Sequence, residues 1–242
     1  MAHDLSVKAG NLIDPSPSML ADMVPPPGSE DRPAPDSDNG IHVVTAEELP
    51  QVAQSLAEAF EHDPHFSYMI RDEDKKLSRL GHGILSFIKH EWLPNGVVHT
   101  NEQRSGAAAW TDQGNWKASL ATMARIAKSL IGVITPAEAA RLRRVLDFTE
   151  DKHGEIEHRW RLHRYLAMVG LSPDWQGMGW GDALMKVVLD ECDAKGEAAY
   201  LEASTPQSIP LYERNGFEVI AWGRYMGATE DLHFMWREPQ PE

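Results

Sequence analysis

Cysteine is almost absent from this 242-residue chain. Cys192 stands alone, so neither a disulfide framework nor a cysteine-based metal site can be built. It lies inside a helical pattern between apolar and acidic neighbours, a poor setting for a nucleophile. Positive charge is also scarce: 23 Lys and Arg face 37 Asp and Glu, a formal net charge of −14. That balance excludes the basic face of a nucleic-acid binder; it favours amine-bearing or cationic ligands, or serves solubility alone. No run of about 18 apolar residues occurs, and the N-terminus lacks a basic segment followed by an apolar core, so neither membrane insertion nor secretion is expected. The expected location is cytoplasmic. Among eleven histidines, His62 with His65 and His158 with His163 lack carboxylates in register, so no metal is expected.

What the chain does have is one region able to form a core. Residues 1–40, including 24-VPPPGSEDRPAPDSDNG-40, are rich in Pro, Ser, Asp and Gly and cannot bury enough apolar area to offset chain entropy. They predict a flexible tail, with a short helix over Ser18 to Val24 as its only periodic stretch. Residues 41–242 predict a single domain. Strand patterns at 41–44, 97–100, 106–110, 162–171, 198–204, 217–222 and 232–237 alternate with helical patterns at 45–61, 73–93, 116–132, 136–152, 180–195 and 206–214. Thr45 with Glu48, and Thr135 with Glu138, have capping-box spacing, and Pro94-Asn95-Gly96 predicts a helix stop. The order implies an α/β (α+β) fold with parallel and antiparallel neighbours, and a helical insert between the third and fourth strands.

The stretch 171-LSPDWQGMGWGDALMKVV-188 alternates Gly177, Gly179 and Gly181 between a strand and a helix. Unpaired amides of a first helical turn, the helix dipole and a bare backbone together suit a diphosphate. Close helix–strand packing would use the same glycines. The spacing is neither that of a P-loop nor the dinucleotide G-x-G-x-x-G.

Gln176-Gly177-Met178-Gly179-Trp180-Gly181, preceded by 167-AMVGLSP-173 and followed by 211-LYERNGF-217, resembles the landmarks of the GNAT N-acetyltransferases. The resemblance is motif-grade over Leu162 to Trp222 and architectural from Ile41 to Trp110. Within that family the segments 107-AAAW-110, 165-YLAMVGLSPDWQGMGWG-181 and 200-YLEASTPQSIPLYERNGFEV-219 look most like puromycin N-acetyltransferase and related enzymes. The family resemblance implies a mixed, strongly twisted central sheet flanked by helices. It implies acetyl-CoA as co-substrate, with the pyrophosphate on the amides of Gln176 to Asp182 and the pantetheine along Met168, Val169 and Leu171. It also implies a phenol, Tyr212, near the sulfur as general acid. Thr205 and Ser208 fall where the family often places an Asn and an Ala, so the sequence departs from the Asn-mediated cofactor contact there, and Thr205 is positioned to cap the following helix instead. The ring of Trp180 is expected to pack away from the phosphates. Arg214 could reach those phosphates or simply be exposed.

Acetyl transfer needs a neutral amine, donors for the carbonyl oxygen and an acid for the departing thiolate. Tyr212 has an alternative role in core packing. Glu202 is the one acid of strand 198-AAYLEAS-204 and shares a face with Ala198, Tyr200 and Ser204. It is either a base or cation anchor, or half of a structural ion pair with Arg164 or Arg224. His163 is another possible base, or a solvent-facing residue. Acceptor contacts are expected from the connection 62-HDPHFSYM-69, chiefly His62, Asp63, Phe66 and Tyr68, from Trp110, and from the 111–160 insert with Trp116 and Trp160. The leading reading is an acetyl-CoA-dependent N-acetyltransferase for a small cationic amine of antibiotic or toxic-metabolite type, acting by direct attack in a ternary complex as a monomer or homodimer. A protein or peptide N-acetyltransferase and a noncatalytic acyl-CoA sensor are the alternatives.

Overall fold

The computed structural model describes Pro35, residues 40–159 and residues 162–240. The helix expected over Ser18 to Val24, nearly all of the expected tail, and Trp160 lie outside these residues. The elements run β1 (His42–Val43), α1 (Leu49–Ala59), α2 (Pro64–Met69), α3 (Glu73–Phe87), a π-helical turn (Ile88–Trp92), α4 (Leu93–Asn95), β2 (Gly96–Thr100) and β3 (Gly106–Thr111). After the insert α5 (Leu120–Ser129) and α6 (Pro136–Arg159) come β4 (His163–Leu171), α7 (Trp180–Lys195), β5 (Ala198–Ala203), α8 (Ile209–Arg214), β6 (Glu218–Gly223) and β7 (Leu232–Arg237). One seven-stranded sheet has the order β1-β2-β3-β4-β5-β7-β6, antiparallel throughout except where β4 meets β5. The α/β architecture and the placement of the helical insert match the sequence expectation.

Strand alternation splits the core in two. From β5, Ala198 and Tyr200 face a core shared with α1, α3 and the insert, while Ala199, Leu201 and Ala203 face one shared with α7. The alanines of β3 divide the same way and leave room for α1 to lie against the sheet. Burying the fully enclosed Leu56 and Leu184 contributes about 1.5–3 kcal/mol each.

Local chemistry explains where elements depart from the sequence pattern. The connection 62–69 is a short helix, α2, because the Asp63 carboxylate accepts the amides of His65 and Phe66 and Pro64 occupies the first turn. The Thr135/Glu138 box forms in both directions. At Thr45 the Glu48 carboxylate accepts the threonine amide and hydroxyl, and α1 itself begins only at Leu49, with Pro50 in its first turn. Pro94 lies within the last helical turn, α4, and the helix ends at Asn95 before Gly96, within the expected stop. Pro94 has no amide to donate and its ring would crowd the His90 carbonyl; the preceding turn widens, with the Leu93 amide donating five residues back to Ile88.

Candidate functional site

Strands β4 and β5 pair only from His163 opposite Ala198 to Leu166 opposite Leu201. β4 nevertheless stays paired with β3 as far as Leu171. Ala109 faces Met168 while Trp110 faces Leu166, so Ala167 is an extra residue, and a bulge of this kind bends a strand and increases its twist. The edge of β4 that faces β5 is therefore unpaired over Ala167 to Leu171. Met168 and Val169 lie on this free stretch as expected. The Leu171 carbonyl is not free, because it accepts from the Gln176 side-chain amide at 2.9 Å; Gln176 closes the loop rather than reaching outward.

Gly177 and Gly179 both adopt left-handed backbone, at φ +73° and +87°, a region where other residues are strained. Gly179 caps α7 and brings no side chain of its own to that end of the helix, where the amides of the first turn have no intrahelical partner. Pro35 lies alongside, 3.5 Å from where a Gly179 Cβ would project. The Trp180 ring is buried among Leu184, Val188 and Leu201, as expected. Asp182 binds Arg214 through two contacts of 3.0 and 3.1 Å and Asn215 at 2.7 Å, so it ties α8 to α7. Arg214 is thereby committed to a carboxylate. Thr205 precedes the short 3-10 turn Pro206–Ser208 without capping it by its side chain, while the Ser208 hydroxyl donates back to the Thr205 carbonyl at 2.8 Å. Tyr212 packs edge-on against Phe217; burial, then the Asp63 charge, pushes its pKa up to about 12, and it stays protonated.

On the other side of β5 a cavity of about 270 Å³ is enclosed by α2, α3, the π turn, α5, α6 and the open end of β4. Its walls are mostly aliphatic and aromatic, including Leu80, Ile84, Phe87, Leu142 and Val145. Glu202 lies in this wall. It accepts the Tyr165 hydroxyl at 2.5 Å and the Tyr200 hydroxyl at 3.0 Å. Burial raises its pKa to about 7 even though both hydrogen bonds pull downward. Glu202 pairs with neither expected arginine: Arg164 goes to Asp112 and Arg224 to Asp231.

His163 is buried rather than solvent-facing, 2.7 Å from His153, so one Nε2 donates and the other accepts. His153 stacks on Trp116 at 4.0 Å, and burial, then His163, depresses its pKa to about 2, leaving it neutral beside Glu202.

Of the expected acceptor contacts, Phe66 and Trp116 line the cavity. His62 is exposed and off its wall. Asp63 caps α2, and Tyr68 accepts Arg144 and donates to the Met226 carbonyl. Trp110 is wholly buried in the opposite core, its indole N–H without a partner. His65 stands in their place on the wall: its Nε2–H donates to the Ser204 carbonyl and its Nδ1 accepts Tyr225.

The motif reading passed over Glu91, Tyr165, Tyr200 and His153. Strand spacing had placed Tyr200 and Glu202 on one face, and the register of β4 against β5, Tyr165 opposite Tyr200, adds the third. Glu91 is a single acid in the run 88-IKHEWL-93. It is 4% exposed, lines the cavity, and neither carboxylate oxygen has a hydrogen-bond partner. Burial first, and the Glu150 charge in addition, raise its pKa to about 7; the Asn95 amide draws it down without closing a hydrogen bond. Cys192 is fully buried with its thiol pushed up to about 11, an inert environment. Among the described residues no cluster of three or more His, Cys, Asp or Glu could hold a metal ion, and no helix is long and apolar enough to cross a membrane.

Residues 98–217 match the acetyltransferase (GNAT) family. An uncharacterized N-acetyltransferase of Schizosaccharomyces pombe is 26% identical over 213 residues, covering 82% of this chain and 83% of that protein. Two solved structures share the fold. One, described as histone acetyltransferase HPA2 and related acetyltransferase of Corynebacterium glutamicum, aligns with a TM-score of 0.58 and 21% identity over 84% of this chain and 97% of its own. The other, arylalkylamine N-acetyltransferase 2 from Aedes aegypti, aligns with a TM-score of 0.56 and 12% identity over 83% and 98%.

Proposed function

The chain belongs to the GNAT family of acetyltransferases, and on that premise we propose that it moves the acetyl group of acetyl-CoA to the amine of a small cationic molecule with an apolar body. One observation carries the acceptor class: a largely apolar cavity, open to the free edge of β4, has the buried carboxylate of Glu202 in its wall. A concave, mostly apolar cavity of about 270 Å³ suits a small molecule better than an extended peptide.

The residues present fit the co-substrate. The free β4 edge around Met168 and Val169 offers backbone groups to the amides of the pantetheine arm. The first turn of α7, entered through Gly177 and Gly179, offers amides and dipole to the diphosphate. Glu202, poised at about 7, accepts a proton from the substrate ammonium and leaves a neutral amine. The amine nitrogen attacks the thioester carbonyl carbon; the new C–N bond forms as the C–S bond breaks, and the Tyr212 phenol gives its proton to the thiolate. Tyr165 and Tyr200 hold the Glu202 carboxylate in place, and their own pKa values, raised well above the usual phenol range by burial first, keep them as donors.

Thiol release from acetyl-CoA, measured against a panel of arylalkylamines, alkylamines, amine antibiotics and lysine peptides, tests the proposal. Turnover of small amines in preference to peptides is expected. Turnover of peptides alone would replace it with a protein acetyltransferase.

A further inference from the structure

Glu91 has no part in the chemistry just described, yet its setting is the least satisfied of any acid in the cavity. The carboxylates of Glu138 and Glu150 on the same wall have cationic partners, Arg79 at 2.7 Å and Lys117 at 3.2 Å. Glu202 has two phenols. Glu91 has no cation and no closed hydrogen bond, only the Asn95 side-chain amide near enough to draw its pKa down, although it is 96% buried by its 4% exposure. A buried carboxylate without a partner costs several kcal/mol, and proteins retain such groups where something else completes them. The backbone beneath Glu91 is itself irregular: the π turn Ile88–Trp92 sets its angular position, and single π turns within helices occur frequently at functional sites.

We propose that Glu91 receives a second cationic group of the acceptor, so that the substrate is a diamine whose two basic groups flank an apolar spacer. This rests on the acetyltransferase reading above and names its substrate more closely. Glu202 takes the amine that is acetylated, Glu91 takes the ammonium that is not, and Leu80, Ile84 and Leu142 enclose the methylene or aryl body between them. The reaction consumes one amine, releases CoA thiol, and leaves the distal ammonium unchanged.

The test is steady-state thiol release with acetyl-CoA and two matched series, diaminobutane to diaminooctane and butylamine to octylamine. In the wild-type protein at least one diamine should surpass its monoamine by about tenfold or more in kcat/KM, a difference of about 1.4 kcal/mol, expressed in KM. Glu91→Gln should cut that advantage by about tenfold through KM, and Glu91→Asp should restore part of it. A thermal melt of each variant separates loss of fold from loss of recognition. Equal kcat/KM for diamines and monoamines in the wild-type protein would overturn the proposal, and that measurement requires no variant. So would a Glu91→Gln protein that loses the same factor on both series. If no amine in either series turns over while acetyl-CoA still binds, this proposal fails and the wider amine panel above decides the small-amine reading; turnover without a diamine preference removes this one alone.

Discussion

On the two sides of the point where β4 leaves β5, the proposed cofactor loop and the acceptor cavity are made of different atoms. The loop offers main chain: free strand edge at Met168 and Val169, left-handed glycines at 177 and 179, and the first turn of α7. The cavity works through side chains, Glu202 from β5, Tyr165 from β4, His153 from α6 and Glu91 from the π turn, brought together from over 100 positions of sequence. A main-chain site is compact in sequence and tolerates most changes that keep its conformation. A side-chain site is scattered, and each member is individually replaceable. Mutations should therefore act differently on the two sides.

The largest expected effect is on the cavity side. Glu202→Gln, which keeps shape and removes the base, should lower kcat by about 10²–10⁴, with a melting temperature close to that of the parent. The pH profile checks the same point. A base must be ionised, so the wild-type rate should fall as pH drops through about 7, and that limb should vanish in the glutamine variant. A variant retaining the limb would move the base elsewhere. Tyr212→Phe comes next, at about a hundredfold loss in kcat with little change in KM, because only protonation of the thiolate is withdrawn. Unchanged turnover would leave Tyr212 as a packing residue against Phe217.

On the loop side, Gly179→Ala forces a side chain into left-handed backbone at a cost of about 1–2 kcal/mol. It should weaken acetyl-CoA binding by about tenfold in calorimetry while leaving the amine KM unmoved. Gly181→Ala is its control, since a Cβ there meets Leu211 at an ordinary 3.5 Å, and binding should stay within about twofold of the parent. Arg214→Ala should have the smallest effect. Its pair with Asp182 is half exposed and worth about 0.2–1 kcal/mol, visible in a denaturant melt and barely in cofactor affinity. A large drop in affinity would show that the guanidinium leaves Asp182 for a phosphate.

The same contrast explains what could be read from sequence. Gly177, Gly179 and the following helix announce their conformation through local residue types, and strand alternation put Glu202 with Tyr200 on one face before any coordinates. The Trp180 ring, expected to turn away from the loop, is buried in the core beneath α7. By contrast, no local signal distinguishes Trp110, a core residue with an unpaired indole, from a substrate contact. Asp63 looked like a pocket acid because its neighbours are aromatic, but a carboxylate before a proline at a helix start is a cap. His153 lay one residue past the predicted end of its helix, and its meeting with His163, Trp116 and Tyr200 depends on how α6 crosses the sheet. Glu91 fell inside the expected helix 73–93, but no local signal marks it as the buried acid of that helix, and the widened turn that sets its bearing has no signature in the hydrophobic pattern.

That widened turn has a consequence for how the cavity can change over time. A π turn holds one residue more than its α-helical counterpart, and each helical residue carries about 100° of rotation. The stripe of α3 that sets Leu80 and Ile84 in the cavity wall keeps its own phase, and the residues after the turn keep another. Deleting a single residue from 88–90 removes the offset between the two phases and swings Glu91 about a quarter turn from its present bearing. Acceptor preference in this fold is thus coded partly as a count, and a one-residue deletion rewrites the pocket more thoroughly than any exchange of one side chain for another.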